Sequence, residues 1–134
     1  EISLGDTIGV GVPTQVDALL TEMLRHYQPQ QLAMHFHDTR GTALANVVTS
    51  LTRGITKFDS AIGGLGGCPY AKGASGNVAT EDLLYLLHEM GIETGVQLER
   101  ISETALSIEP VLGKKLQSKQ VTIARGEAQS WQTS

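Results

Sequence analysis

The sequence has a single cysteine, Cys68, among 134 residues. An internal disulfide is therefore excluded, and a reducing, cytoplasm-like compartment fits the chain better than a secretory one. No apolar run approaches the roughly 20 residues needed to span a membrane. The amino end shows no basic-then-apolar leader; it opens on Glu1 and reads at once as a strand, like a sequence entered in its middle. Basic charge is scarce too: Lys and Arg number 10 against 14 acidic residues, for a net charge of −4. That balance argues against nucleic acid or an acidic membrane surface as a partner. Both nucleotide-binding glycine motifs are absent in a usable context, since no G-x-x-x-x-G-K-[ST] occurs and no G-x-G-x-x-G joins a strand to a helix.

What is present is the pattern of a one-domain soluble protein, with 40% hydrophobic residues. "ISLGDTIGVG" predicts a strand running into a glycine loop. Pro13 then opens a helix in which Val16, Leu19, Leu20, Met23 and Leu24 recur at helical spacing. "LAMHFH" (32–37) is a second strand, followed by a helix from Thr42 to about Arg53 that ends at Gly54. "ITKFDSAIG" (55–63) is a third strand, and helices are predicted over 79–91 and about 97–109. Strands alternating with helices indicate a parallel α/β sheet, solenoid-like or barrel-like, with functional groups at the carboxyl ends of the strands. "GDTIG" and "HDTRG" repeat one Asp-Thr-x-Gly turn 32 residues apart, about the length of a βα unit. Residues 1–109 form this βα section, and 110–134 are expected to be a mostly irregular tail with a short ordered piece near Val121–Ile123.

Three places carry candidate chemistry. His35 and His37 stand two apart on a strand, so both rings project from one face near its carboxyl end. They either bind a divalent cation or pack as ordinary strand histidines, with Asp38 next along able to orient the site. Asp6 and Thr7 hold the matching position after the first strand; Asp6 can serve as a general base and Thr7 can bind a carboxylate, but on the residues alone the turn-capping role stands. The stretch "GGLGGCPYAKGASGN" (63–77) surrounds Cys68 with six glycines. A thiol in so polar a setting suits acid or nucleophile chemistry, and Pro69 and Tyr70 favour a closing loop over a linker. Where that stretch enters the next helix, Asn77 either offers a carbonyl to a hard cation or, like Thr80, caps the helix, and Glu81 is either a supporting carboxylate or a favourable first-turn charge.

Together, "SAIGGLGGCPYAKGASGNVATEDLLYLL", "MHFHDTRGTALANV" and "ISLGDTIGVG" resemble the carboxyl-terminal part of the 3-hydroxy-3-methylglutaryl-CoA lyase family over about residues 1–116. The resemblance implies a partial TIM (β/α)8 barrel comprising the last three βα units, an additional helix and the tail. It implies retro-Claisen cleavage of an acyl-CoA substrate to acetyl-CoA and acetoacetate, as in leucine degradation and ketone-body metabolism. His35, His37 and Asn77 would be ligands of Mg²⁺ or Mn²⁺, and Cys68 the loop cysteine needed for catalysis. Glu81 would support that cysteine, Asp6 or His35 would act as base, and Ser3 and Thr7 would lie near the acyl carboxylate. An arginine and a further aspartate ligand belong to the family's first strand, outside the matched section. A homo-oligomer or a complementary amino-terminal segment would then complete the site. A mitochondrial matrix location is open to a eukaryotic member. The alternative is a catalytically inactive partial-barrel module that folds by self-association.

Overall fold

The computed structural model describes residues 1–67 and 76–132. Cys68, Pro69 and Tyr70 lie outside the described residues, as does the rest of the segment up to 75. Among the described residues, three parallel strands form one sheet in the order β1 (Ile2–Asp6), β2 (Leu32–Phe36), β3 (Phe58–Asp59). Helices α1 (Pro13–Met23) and α2 (Ala43–Thr52) cross between successive strands, and α3 (Thr80–Glu89) follows β3. Two further helices, α4 (Leu98–Leu112) and α5 (Lys119–Gln132), pack beside α3.

The register decides what each face of the sheet carries. Leu4 pairs with Met34 and Asp6 with Phe36, while Gly5 pairs with His35. Because side chains alternate along a strand, Leu32, Met34 and Phe36 face the helices and Ala33 and His35 face the other way. The helix-facing set is buried in a core with Val16, Leu20, Val47, Ile55, Val78, Leu83 and Leu87. Leu20, Leu32 and Ile55 have no exposed surface, and each such side chain contributes about 1.5–3 kcal/mol by leaving water. Of the apolar stripe on α1, Val16 and Leu20 are buried, whereas Leu19 lies on the open side.

The connections are tied by carboxylates and glycines. Both oxygens of Asp6 accept main-chain N–H groups, from Val10 at 3.1 Å and Gly11 at 2.9 Å, which closes the loop between β1 and α1. Asp38 Oδ1 accepts from Ala43 N–H at 3.0 Å and so starts α2. The two Asp-Thr-x-Gly turns touch: a Cβ at Gly9, where φ is +64°, would stand 2.6 Å from Thr39 Oγ1. Only glycine admits both that backbone angle and that approach. Arg40 fastens the pair by donating to the carbonyls of Ile8 at 3.0 Å and Gly9 at 3.3 Å.

Two expectations need correction. The third strand is two residues long rather than nine, because the chain turns at Ile62–Gly64 and pairs from Ala61 with Ala79 instead of extending the sheet. The tail expected to be mostly irregular contains the 14-residue helix α5, and α4 runs on past Pro110 to Leu112. Pro110 removes only one N–H from a ladder that is already ending, and Gly113 in the left-handed conformation makes the actual stop. Helix α5 has a weak apolar stripe and is held by contacts distant in sequence. Val121 and Leu116 join Ala105 in a second, smaller core beneath Ile62 and Leu65. Arg125 grips Glu109 with two bonds, Nε to Oε1 at 3.2 Å and an Nη to Oε2 at 2.6 Å.

The Arg125 guanidinium holds the Glu109 carboxyl below the usual glutamate range. A depressed folded-state value means the pairing stabilises the α4–α5 contact above about pH 4.3 and fades as pH falls through the folded value. Acid titration followed by NMR should therefore release α5 from α4 before the β1–β2–β3 core loosens, and Glu109→Gln should show the loosened α5 already at neutral pH.

Candidate functional site

The candidate site lies at the carboxyl end of β2. His35 and His37 project from the face opposite the hydrophobic core, with ring centroids 5.2 Å apart and planes inclined by 46°. Their surroundings differ. His35 is partly exposed, and its Nδ1 lies 3.2 Å from Asp59 Oδ2 at the end of β3, the residue directly opposite it in the sheet. A carboxylate on Nδ1 fixes the ring orientation and leaves Nε2 with its lone pair. His37 is buried, and burial together with the neighbouring His35 pushes its pKa down, against a smaller upward pull from the Asp6 charge. Its Nδ1 is enclosed with no hydrogen-bond partner among the described residues.

Asn77 reaches the same place from the other side of the glycine-rich segment. It forms an antiparallel bridge with His37, flanked by bonds from Asp38 N–H to the Gly76 carbonyl at 2.8 Å and from Val78 N–H to the Phe36 carbonyl at 3.0 Å. The Asn77 side-chain amide donates to the Leu65 carbonyl at 2.9 Å, so its oxygen is the atom that can accept or ligate. Two imidazoles on one face and a carbonyl oxygen suit a divalent cation, and the lowered pKa of His37 favours the neutral ring that a metal needs. Among the described residues no cluster of three or more His, Cys, Asp or Glu side chains is assembled, so these three groups make a partial ligand set.

The remaining sequence candidates are placed as follows. Ser3 and Thr7 are exposed, Ser3 on the face of β1 that carries Gly5 beside His35, and Thr7 in the turn after β1. Asp6 closes the loop described above, with its charge felt by His37. Glu81 is fully buried in the first turn of α3, away from the histidine face; its Oε1 accepts from Gly63 N–H and from the Ser118 hydroxyl, each at 2.6 Å. Asp38, half-buried, has its pKa raised chiefly by burial. A cavity of about 370 Å³ opens next to Asn77, between Asp38 and Leu44 on one side and Gly64, Asp82 and Lys119 on the other. Cys68 lies outside the described residues.

Sequence reasoning missed Asp59 and Ser118. The first had a usable signal, a carboxylate at the end of the third strand in "KFDS", level with Gly5 and His35 in the sheet. Ser118 had none, because its partner is 37 residues away. No helix among the described residues is long and apolar enough to cross a membrane.

Comparison with known proteins identifies relatives of this chain and of its fold. A family model described as HMGL-like matches residues 1–108. A hydroxymethylglutaryl-CoA lyase from Bacillus subtilis is 54% identical over 123 residues, covering 92% of this chain and 41% of the relative. The crystal structure of the Bacillus subtilis HMG-CoA lyase superposes with a TM-score of 0.91 at 54% identity, over 93% of this chain and 42% of that one. An HMG-CoA lyase from Acinetobacter baumannii, solved in complex with coenzyme A and 3-methylmalate, gives a TM-score of 0.84 at 41% identity, over 90% of this chain and 40% of that one. The chain thus spans about two fifths of the length of these proteins, and its three βα units are a partial TIM barrel.

The lowered pKa of His37 has a measurable consequence. The folded state resists protonating this ring, so stability is complete above about pH 6.5 and declines as pH falls from there through the folded value. An NMR titration should find His37 taking up its proton at lower pH than an ordinary histidine, and His37→Gln should flatten the fall of stability between about pH 6.5 and 5.

Proposed function

Because the chain belongs to the HMGL-like family, whose members are divalent-metal-dependent lyases, we propose that it supplies the cation-binding and proton-donating part of a carbon–carbon lyase acting on 3-hydroxy-3-methylglutaryl-CoA. The observation that carries this reading is the convergence of His35, His37 and Asn77 at the end of β2, with the buried His37 Nδ1 lacking a partner among the described residues. His35, His37 and the Asn77 carbonyl would hold Mg²⁺ or Mn²⁺, and a bound cation would make the tertiary hydroxyl of the substrate more acidic. The coenzyme A seen in the Acinetobacter baumannii enzyme supports an acyl-CoA as the substrate class.

The chain's own groups divide the proton transfers. His35 has Nδ1 against Asp59 and would use Nε2 as a ligand, which leaves no lone pair to take up a proton. Of the two candidate bases, Asp6 therefore receives the hydroxyl proton, its carboxylate held in place by Val10 and Gly11 N–H. The bond between C2 and C3 then breaks, the hydroxyl carbon becomes the ketone of acetoacetate, and the electron pair passes to the acetyl-CoA enolate. Cys68 returns a proton to the enolate carbon. Ser3 and Thr7, exposed near the end of β1, would bind the substrate carboxylate. Glu81, bonded to main chain and to a serine in a closed interior, is assigned a supporting role rather than contact with substrate.

The family resemblance assigns an arginine and a further aspartate ligand to the first strand of the barrel. The outer edges of β1 and β3, which pair with no strand among the described residues, support completion of the barrel by complementary strands. The test is release of acetoacetate from 3-hydroxy-3-methylglutaryl-CoA by the chain assembled with the amino-terminal strands that its relatives carry. Release should require Mg²⁺ or Mn²⁺, and Cys68→Ala and His37→Ala should each slow it by at least about a hundredfold. A folded assembly that binds the cation and releases no acetoacetate would overturn the reading and favour a self-associating, inactive module.

A further inference from the structure

The carboxyl-terminal helix is tied to the candidate site by a chain of short bonds. Ser118, the residue before α5, is buried and its hydroxyl does two things. It accepts from Val121 N–H at 3.3 Å, which caps the helix, and it donates to Glu81 Oε1 at 2.6 Å. The same Glu81 oxygen accepts from Gly63 N–H at 2.6 Å, while Oε2 is enclosed without a partner among the described residues. Gly63 lies inside the Ile62–Gly64 turn, and the next two carbonyls hold Gly76 and Asn77. Gly64 accepts from Gly76 N–H at 3.0 Å, and Leu65 accepts from the Asn77 amide at 2.9 Å.

Packing makes the same connection. At Gly63, where φ is +64°, a Cβ would stand 2.5 Å from the Leu116 side chain, so the turn and the residues leading into α5 are pressed together. Asp82, next to Glu81, seats the helix end by accepting from Lys119 N–H at 3.0 Å and Gln120 N–H at 2.8 Å. A buried carboxylate with one engaged oxygen is an expensive element, and removing one of its donors leaves the other contact less defined.

We infer that Ser118 is a positioning residue for Asn77, acting through Glu81 and the Ala61–Gly66 turn, so that α5 sets where the Asn77 carbonyl stands relative to His37. The inference rests on the proposal that Asn77 is a cation ligand, and its test separates the two. In the full chain, Ser118→Ala should speed hydrogen exchange at Gly63 N–H by at least about tenfold and shift the side-chain amide resonances of Asn77. Mn²⁺ affinity, read by electron paramagnetic resonance, should fall, and Ser118→Thr should restore both signals because it keeps the cap and the donor. Glu81→Gln, which keeps the side-chain shape and weakens the acceptor, should loosen Gly63 in the same way and serves if Ser118→Ala does not fold. Unchanged Gly63 exchange and Asn77 resonances in a folded Ser118→Ala overturn the inference. Altered signals with no Mn²⁺ binding by either protein keep the linkage from Ser118 to Asn77 and overturn the ligand reading instead.

Discussion

The period-two alternation of β2 governs the rest of the structure. Its two neighbours in the sheet bury its edges, and its side chains must then be sorted between two incompatible surroundings. Leu32, Met34 and Phe36 enter the core beneath the helices, which leaves His35 to the opposite face and continues that face to His37. A shift of one residue would drive an imidazole into the hydrocarbon core and expose three large apolar side chains. The same burial that fixes the fold thus fixes the direction of the histidines, and the candidate site is a by-product of register.

An acidic chain also uses its carboxylates as main-chain anchors. Asp6 closes the loop ahead of α1, Asp38 opens α2, Glu81 holds Gly63, and Asp82 opens α5. In each case a charged oxygen meets N–H groups that a loop or helix end leaves unpaired, where such bonds are stronger than neutral ones. Several of these residues are the ones that sequence reading put forward for catalysis. Asp6 shows that anchoring and chemistry need not compete, since an oxygen accepting one N–H keeps lone pairs for a proton.

The sequence made the local features legible. Pro13 marks the start of α1, the apolar spacing of α1 and α2 marks their buried faces, and the alternation of strands and helices marks a parallel sheet. The histidine pair and its shared face followed from strand geometry alone. What stayed hidden was non-local. Helix α5 has few apolar residues and depends on Glu109, Asp82 and Glu81 from elsewhere in the chain, so its local composition reads as a tail. Asp59 became meaningful only when the register placed it opposite His35. The third strand looked long because its sequence is β-like, whereas the turn at Ile62–Gly64 is imposed by contacts with α3 and α4.

The dependence of the Ile62–Gly64 turn on Ser118 and Leu116 also sets an order of assembly. A ribosome delivers the histidine strand and the turn well before it delivers the residues that hold the turn down. Up to that moment Glu81, the acceptor of the Gly63 N–H, lacks its Ser118 donor and the small core beneath Leu65 has no floor. The nascent chain can therefore pair its three strands early but acquires the arrangement around Asn77 only when α5 arrives. The sheet sets the histidine pair first, and the Asn77 carbonyl takes its place after it.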